Sequence, residues 1–313
     1  MTTDLVAALD IGGTKIAGAL VDDSGAVRER FQVPTPTREP GEAVLAAVEE
    51  VFAALVATPG WAAVRGVGIG SAGPVDAAAG AVSPVNIPGW RGFPLVAAVR
   101  RTLGAGLPVT LVGDGAAIAA GEHWCGAARG VDNALCMVVS TGVGGGLVLD
   151  GRLRTGPSGN AGHIGHLCVE LDGEKCPCGG RGCVEGIASG TAIARWAGEH
   201  GLRAPDGGPP TAAHVAAAAR EGDAVATAAF RRAARALGAG IAATATLVDL
   251  DVVVIGGGVA QAGAVLFDPL ATALAEYAAL PYVRGLPVRA ALLGGDAGLV
   301  GAAAEARRTA GGG

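Results

Sequence analysis

One pattern constrains the fold more than any other: a strand, a glycine-rich turn and a second strand, present twice in the chain. The first copy occupies residues 5–33, with its turn at 12–15 and a third strand at 27–33. The second copy occupies residues 134–151, with its glycine turn at 140–146. Apolar runs that end in such turns are typical of hairpin strands. Two hairpins, each opening a mixed α/β region, predict a duplicated α/β fold with a cleft between the halves.

Regular apolar spacing predicts the remaining elements. We expect further strands at 64–70, 109–112 and 252–255, and helices at 42–56, 95–103, 191–199, 212–220, 223–247 and from about 298 to 308. The segment 203–210 is typical of a surface loop rather than a domain boundary.

The composition excludes several classes of protein. A net charge of −5 gives no support to binding of nucleic acid or of an anionic membrane. The longest apolar stretch, residues 252–267, is interrupted by three glycines and is too short to span a bilayer. The N-terminus, residues 1–10, lacks the positively charged segment of a secretion signal and carries Asp4, so we expect no such signal. We therefore expect a cytoplasmic protein whose six cysteines serve as thiols or metal ligands rather than in disulfides.

A cluster of metal-ligating residues lies near the middle of the chain. His166 is followed by Cys176, Cys178 and Cys183, and Glu185 comes two residues later. Three thiols and one imidazole are the ligand set of a closed tetrahedral zinc site. A zinc-bound imidazole carries a proton on its second nitrogen, which it donates elsewhere. We interpret the segment as a zinc site that also turns His166 and Glu185 toward a ligand.

The two glycine turns are each followed by a strand, so neither is a Walker A loop nor a dinucleotide fingerprint. Their backbone N–H groups can still reach phosphate oxygens, because glycine lets the main chain approach closely. Asp10 ends the first strand, where it is placed to hold Mg²⁺ through water, and Lys15 is placed to meet phosphate charge. The alternative is that residues 10–15 form only a tight hairpin turn.

Two further polar residues allow two interpretations each. Asp114 stands where a strand gives way to a helix, so its carboxylate either caps the helix or acts as a general base for phosphoryl transfer. Asn86 is either an ordinary turn residue or an amide that reads hydroxyl groups.

Together these motifs resemble the ROK family of bacterial sugar kinases and sugar-responsive repressors. The resemblance covers nearly the whole chain and depends on residues 10–15, 71–76, 86–90, 141–146, 161–166, 176–185 and 255–258. It implies the actin-like, ribonuclease-H-like ATPase duplication, with two domains around a cleft. By that resemblance we expect a smaller domain of residues 1–115 with the C-terminal helix 298–313, and a larger domain of residues 116–297 with the zinc loop.

The resemblance also implies ligands and site residues. The cofactors are ATP, Mg²⁺ and a structural Zn²⁺ ion, and the substrate is a hexose. The catalytic base matches Asp114. The nucleotide site matches Asp10, Gly12, Gly13, Thr14, Lys15, Thr141, Gly142, Gly144, Gly145, Gly256, Gly257 and Gly258. The sugar site matches Gly73, Asn86, Gly113, Asp114, His163, His166 and Glu185, and the zinc ligands match His166, Cys176, Cys178 and Cys183. A homodimer or homotetramer is expected on the same ground.

Two departures from the family pattern bear on the sugar. Gly113 stands where family kinases commonly carry an asparagine, and His163 stands where they commonly carry a glutamate. A neutral imidazole accepts one hydrogen bond and donates another, whereas a carboxylate accepts two. Residues 161–166 resemble N-acetylmannosamine kinases of the family, and residues 86–90 are similar to its glucokinases.

The sequence therefore favours an ATP-dependent hexose 6-kinase with glucose as the first substrate, and an N-acetylmannosamine or N-acetylglucosamine kinase as the alternative. A non-enzymatic sugar-sensing repressor is the third hypothesis. Repressors of the family carry a winged-helix domain before the first strand, which here begins at about residue 5. A sugar-binding module with weak catalysis is the fourth, and the retained Asp10 and Asp114 argue against it.

Overall fold

Two sheets of five strands each organise the chain in a computed structural model that describes residues 4–104 and 106–310. The strands are β1 (Leu5–Ile11), β2 (Lys15–Val21), β3 (Val27–Pro34), β4 (Val64–Ser71), β5 (Val75–Asp76), β6 (Ala81–Val82), β7 (Val109–Gly113), β8 (Ala134–Val139), β9 (Val143–Leu149), β10 (Arg152–Arg154), β11 (Val252–Gly256) and β12 (Val288–Ala290).

The two sheets have the same topology. The first has the order β3-β2-β1-β4-β7, and the second has the order β10-β9-β8-β11-β12. In each sheet the first three strands pair antiparallel and the last two join in parallel. This identity of order and direction confirms the duplicated α/β fold.

Helices cover both sheets. They are α1 (Gly41–Val56), α2 (Leu95–Leu103), α3 (Asp114–Cys125), α4 (Val184–Ala188), α5 (Gly190–Glu199), α6 (Ala212–Arg220), α7 (Ala224–Val248), α8 (Ala264–Tyr277) and α9 (Ala297–Ala310). The apolar stripe of α1, which includes Val44, Val51 and Phe52, is buried against one face of the first sheet. Helices α7 and α8 bury the corresponding face of the second sheet. Burial of these stripes, rather than helix propensity, supplies most of the stability of such elements.

Helices α3 and α9 lie between the two halves. The side chains of α9 pack on the first sheet around Val6 and Ala8, and α3 packs on the second sheet around Cys136 and Val148. The two helices also contact each other with almost no side chains between them, since a Cβ atom added at Gly301 would overlap the carbonyl of Ala117. The predicted domain boundary between 115 and 116 stays a prediction.

Most predicted elements agree with the structure to within two residues, and one prediction is wrong. We expected a glycine turn at 140–146 before a strand at 147–149, but β9 already begins at Val143. Three of the glycines therefore lie within the strand. Helix α8 was not predicted, and it contains Pro269. Residues 203–210 form a loop, as expected. None of the helices in the described part of the chain has the length and hydrophobicity that a bilayer crossing needs.

Candidate active site

The predicted site residues of the first half gather at one edge of its sheet. Strands β1, β4 and β7 are parallel, and their carboxyl ends meet where Ile11 pairs with Ser71 and Ser71 pairs with Gly113. Asp10 and Asp114 lie at this edge because each stands at the end of a strand. In open parallel sheets, ligands bind outside the carboxyl ends of the strands.

The Asp114 carboxylate is the most constrained group of the site. It begins α3, and its Oδ1 accepts a hydrogen bond of 2.7 Å from the N–H of Gly115. Burial raises the pKa of Asp114, and the nearby Glu185 carboxylate raises it further, while the Gly115 N–H and the His163 ring lower it. A carboxylate with a raised pKa and a neighbouring histidine suits proton transfer near neutral pH.

The start of helix α3 packs directly against the glycine-rich residues 140–146, which we call the second glycine segment. A Cβ atom at Gly115 would overlap the carbonyl oxygen of Gly145. A small cleft therefore brings Asp114 together with residues of the second half. Its other lining residues are Gly113, Gly115, Ala116, Gly144, Gly145, Gly159, Ala161 and His163.

Asp10 is held at the start of α9. A Cβ atom at Gly298 would come within 3.0 Å of both carboxylate oxygens, so only glycine lets the helix approach this closely. Burial raises the pKa of Asp10 to about 6, the Asp114 charge adds to this, and Lys15 and Arg30 oppose it. Two mutually repelling carboxylates beside a lysine can hold a divalent cation and a phosphate group.

His163 reaches across to the first half. Its Nδ1 lies 2.8 Å from the carbonyl oxygen of Asn160, and its Nε2 lies 3.4 Å from the position of an added Cβ at Gly73. A carbonyl oxygen only accepts hydrogen bonds, so Nδ1 carries the proton. The Nε2 of the neutral ring is therefore a hydrogen-bond acceptor that faces Gly73.

Glu185 connects the cysteine-rich segment to the second glycine segment. Its Oε2 accepts a hydrogen bond of 2.9 Å from the N–H of Val143, and it would lie 2.6 Å from a Cβ at Gly142. Helix α4 carries Glu185 in its first turn, directly after Cys183. This hydrogen bond therefore joins the helix after the cysteine segment to the segment predicted to bind phosphate.

The four predicted zinc ligands come together. One ring nitrogen of His166 and the Sγ atoms of Cys176, Cys178 and Cys183 all lie within 4.8 Å of one another, and Nδ1 of His166 is 3.9 Å from Sγ of Cys176. Ligands at about 2.3 Å from a tetrahedral zinc ion are separated by somewhat less than 4 Å, and the Sγ atoms of Cys178 and Cys183 are 3.8 Å apart. The donor set and its spacing fit a zinc ion. Zinc bound at Nδ1 would leave the Nε2–H of His166 to donate to a ligand.

A cavity of about 1020 Å³ opens beside the second glycine segment. It is lined by Thr141 and Gly258, by α5 from Thr191 to Glu199, and by the loop 203–211. The Thr191 hydroxyl donates to the carbonyl of Thr141 at 2.9 Å, which fixes α5 against the turn. The cavity is large enough for a nucleoside.

The predicted nucleotide residues do not all meet in one place. Gly258 lines the large cavity, whereas Gly256 contacts Ala291 and Gly257 packs on the backbone of Val139. These two glycines shape the turn rather than line the cavity. In the first half, Gly13 lies directly against the amide of Asn86, which is exposed to solvent.

Sequence reasoning missed one polar residue beside the cleft, Asn160, which contacts both Val75 and His163. Asn160 follows the glycines at 156 and 159 and directly precedes the predicted sugar-binding segment 161–166. This position was the available signal.

Comparison with known proteins adds independent evidence. The family model described as the ROK family matches residues 6–309. The glucokinase of Streptomyces coelicolor is 36% identical over 316 residues, which cover 97% of this chain and 98% of that protein. The N-acetylmannosamine kinase of Yersinia pseudotuberculosis is 39% identical over 300 residues, which cover 96% of this chain and 97% of that protein. A crystal structure of a ROK family glucokinase from Streptomyces griseus in complex with glucose and AMPPNP is 39% identical, with a TM-score of 0.83, and covers 97% of this chain and 99% of that one.

Proposed function

Because this chain belongs to the ROK family and is a sugar kinase, we propose that it transfers the γ-phosphate of ATP to the 6-hydroxyl of a hexose, with glucose as the first substrate. The predicted actin-like fold is confirmed by the match to ROK sugar kinases of that fold. The observation that carries the proposal is the half-buried Asp114 carboxylate, which faces His163 and the second glycine segment across one small cleft.

Asp114 is the general base of the proposed reaction. It accepts the proton of the 6-hydroxyl as that oxygen attacks the γ-phosphorus and the bond to the leaving ADP oxygen breaks. Its raised pKa makes it a stronger base than a solvated carboxylate. The hydrogen bond from the Gly115 N–H holds the carboxylate in one orientation. Positioning of this kind supplies much of the catalysis in phosphoryl transfer.

The nucleotide is proposed to lie with its adenosine in the large cavity and its phosphates toward the second glycine segment. The lining by Thr141 and Gly258 supports this placement. Asp10 and Lys15 then meet the phosphate end from the first half, because the charges of both Lys15 and Asp114 act on the Asp10 carboxylate and shift its pKa. Mg²⁺ held by Asp10 through water would neutralise charge on the β- and γ-phosphates.

The sugar is proposed to lie against Gly73, Asn86, Gly113, His163, His166 and Glu185. The Nε2 of His163 presents an acceptor where the common glutamate of the family presents carboxylate oxygens. That substitution keeps one acceptor for a sugar hydroxyl and removes a negative charge. A hexose with a free 2-hydroxyl, such as glucose, fits the retained acceptor.

A second candidate substrate is N-acetylmannosamine. Residues 161–166, which include His163, favour it because they resemble the N-acetylmannosamine kinases of the family, and the Yersinia relative is named for that activity. Zinc bound by His166, Cys176, Cys178 and Cys183 is proposed for either substrate. It would fix His166 as a hydroxyl donor and Glu185 through the adjoining helix α4.

The discriminating experiment is a coupled ADP-release assay with glucose, mannose, N-acetylglucosamine and N-acetylmannosamine, each with ATP and with polyphosphate as donor. We expect turnover with ATP and the highest kcat/KM on glucose. A higher kcat/KM on N-acetylmannosamine would replace glucose as the substrate. Absence of turnover on all four sugars would contradict the proposed kinase activity and favour a sugar-binding or sensing role.

The expectations of a homodimer or homotetramer and of no nucleic-acid partner stay predictions. Light scattering of the purified protein measures the first, and a fluorescence anisotropy titration with duplex DNA at low salt measures the second.

A further inference from the structure

We propose that Asn160 is a positioning residue that joins the two halves of the sugar site. The inference goes beyond the proposed function, on which it rests, by naming the contact that sets the distance between the sugar-binding segments. Asn160 belongs to the loop between β10 and the first cysteine of the cluster, in the second half. Its partner, Val75, belongs to β5 in the first half.

The contact between them is two-sided. The Oδ1 of Asn160 accepts a hydrogen bond of 2.9 Å from the Val75 N–H, and its Nδ2 donates one of 2.7 Å to the Val75 carbonyl. The side-chain amide therefore pairs with β5 as another strand would. The neighbouring residue Gly159 adds close packing, since a Cβ there would lie 3.0 Å from a methyl group of Val75.

In the first half, this contact is connected by hydrogen bonds to both segments that are predicted to bind the sugar, one with Gly73 and one with Asn86. The carbonyls of Gly73 and Pro74, directly before Val75, accept hydrogen bonds from Val85 and Ser83. These bonds connect β5 to the segment that carries Asn86. A displacement of Val75 is therefore transmitted to Gly73 and to the Asn86 segment.

On the second-half side, Asn160 fixes His163. The backbone carbonyl of Asn160 accepts the Nδ1–H of His163 at 2.8 Å, and the side chain is braced by Ser158, whose carbonyl lies 3.1 Å from Nδ2. One residue thus holds His163 with its main chain and β5 with its side chain. The separation between the His163 acceptor and Gly73 depends on both contacts.

Asn160→Asp tests this arrangement most sharply because it is isosteric. The carboxylate can still accept from the Val75 N–H, but its second oxygen replaces the donor and faces the carbonyls of Val75 and Ser158. The main-chain contact to His163 is unchanged. Asn160→Ala removes both side-chain bonds without adding repulsion and serves as a second variant.

The matched control is Asn133→Asp. Asn133 also makes a two-sided contact, since its Oδ1 accepts from the Asp150 N–H at 3.2 Å and its Nδ2 donates to Asp251 at 3.0 Å. It lies at the start of β8, at the opposite end of that strand from the glycine segment, and all its partners belong to the second half. The same chemical change there perturbs stability without crossing the cleft.

The measurement is steady-state kinetics with the preferred hexose, together with calorimetric titration of that hexose and a thermal melt for each protein. We expect Asn160→Asp to raise KM for the sugar and its Kd about tenfold, the effect of losing one hydrogen bond and gaining a repulsion. Asn160→Ala should raise both about threefold, and KM for ATP should stay within about twofold for every variant. Asn133→Asp should leave the sugar constants unchanged.

Sugar constants within about twofold of wild type in both Asn160 variants would overturn the inference. An equal fall in melting temperature for Asn160→Asp and Asn133→Asp, with unchanged sugar KM, would show a structural role only. If wild type turns over none of the hexoses, the proposed function fails instead, a result distinct from either of these.

Discussion

Replacing Asp10 by asparagine should stabilise the ligand-free protein at alkaline pH while impairing its proposed function. The Asp10 carboxylate is enclosed between the first glycine turn and the start of α9, where Gly298 contacts it. Burial, and then the Asp114 charge, raise its pKa from 3.8 to about 6 despite Lys15 and Arg30. The folded protein therefore binds a proton at Asp10 more tightly than the unfolded chain does.

The pH dependence of this effect follows from proton linkage. A raised carboxyl pKa contributes stability that is fully present below about pH 3.8 and is lost as the pH rises through about 6. The rise to about 6 corresponds to about 3 kcal/mol at about 1.4 kcal/mol per pKa unit. At pH 8 the ionised Asp10 therefore lowers the free energy of unfolding by about 3 kcal/mol, whereas a neutral asparagine does not.

The assay is urea unfolding of wild type and Asp10→Asn at pH 8 and pH 4, without nucleotide and with EDTA. We expect the free energy of unfolding of the variant to exceed that of wild type by about 3 kcal/mol at pH 8 and by little at pH 4. Asp4→Asn is the control, because Asp4 is an exposed carboxylate paired with Arg65 before the same strand. A variant that is equally stable or less stable than wild type at pH 8 would refute the electrostatic account of Asp10.

Two further predictions concern the metal cluster and the contact between α3 and α9. Cys178→Ser should abolish binding of the proposed zinc ion, lower the melting temperature by at least about 5 °C and raise KM for the sugar, because His166 and Glu185 would lose the support of the metal site. The exposed Cys168 lies beside the cluster but outside its ligand set, so Cys168→Ser is the control for zinc content and melting. A zinc-free Cys178→Ser protein with unchanged melting and KM would contradict the coupling. Gly301→Ala should reduce the free energy of unfolding by about 3 kcal/mol, since its Cβ overlaps the carbonyl of Ala117. Gly186→Ala in α4, where the described residues leave space for a Cβ, should raise it by about 0.5–1 kcal/mol. Equal changes in the free energy of unfolding for Gly301→Ala and Gly186→Ala, measured with urea, would argue against close backbone contact between α3 and α9.

Local patterns predicted most of the fold, but not where glycine serves long-range packing. Helix α2 was predicted at its observed bounds because its apolar spacing is local. The glycines at 144–146 were predicted as a turn, yet they lie in β9. A Cβ at Gly146 would lie 2.8 Å from the main chain of Ala116. Glycine is needed there because α3 packs on the strand, and that contact comes from about 30 residues away in sequence.

Buried polar residues with distant partners were also beyond sequence reasoning. Glu122 lies in α3 and is fully buried, with its carboxylate accepting N–H bonds from Ala127, Leu292 and Leu293. The last two donors stand 170 residues away or more, so no local sequence pattern indicates that Glu122 is buried. Asn160 escaped notice for the same reason, since Val75 is 85 residues away.

Residues of the candidate site could be predicted from the sequence where their chemical role depends on a short local motif. The four candidate zinc ligands lie within a short segment, and their ligand atoms come together as expected. Asp114 was placed at a strand-to-helix junction, where the structure has it. Its neighbour His163 could be assigned only by resemblance, and the approach of His163 and Glu185 to Asp114 depends on the packing of α3 on the second sheet.

The central claim is that Asp114 acts as the base of hexose phosphorylation, and Asp114→Asn tests it most directly. The variant keeps the shape of the side chain and cannot accept the 6-hydroxyl proton. We predict a fall in kcat of about 10²–10⁴-fold in the ADP-release assay, with the calorimetric Kd for the sugar and for an ATP analogue within about threefold of wild type. A kcat near that of wild type would contradict the account.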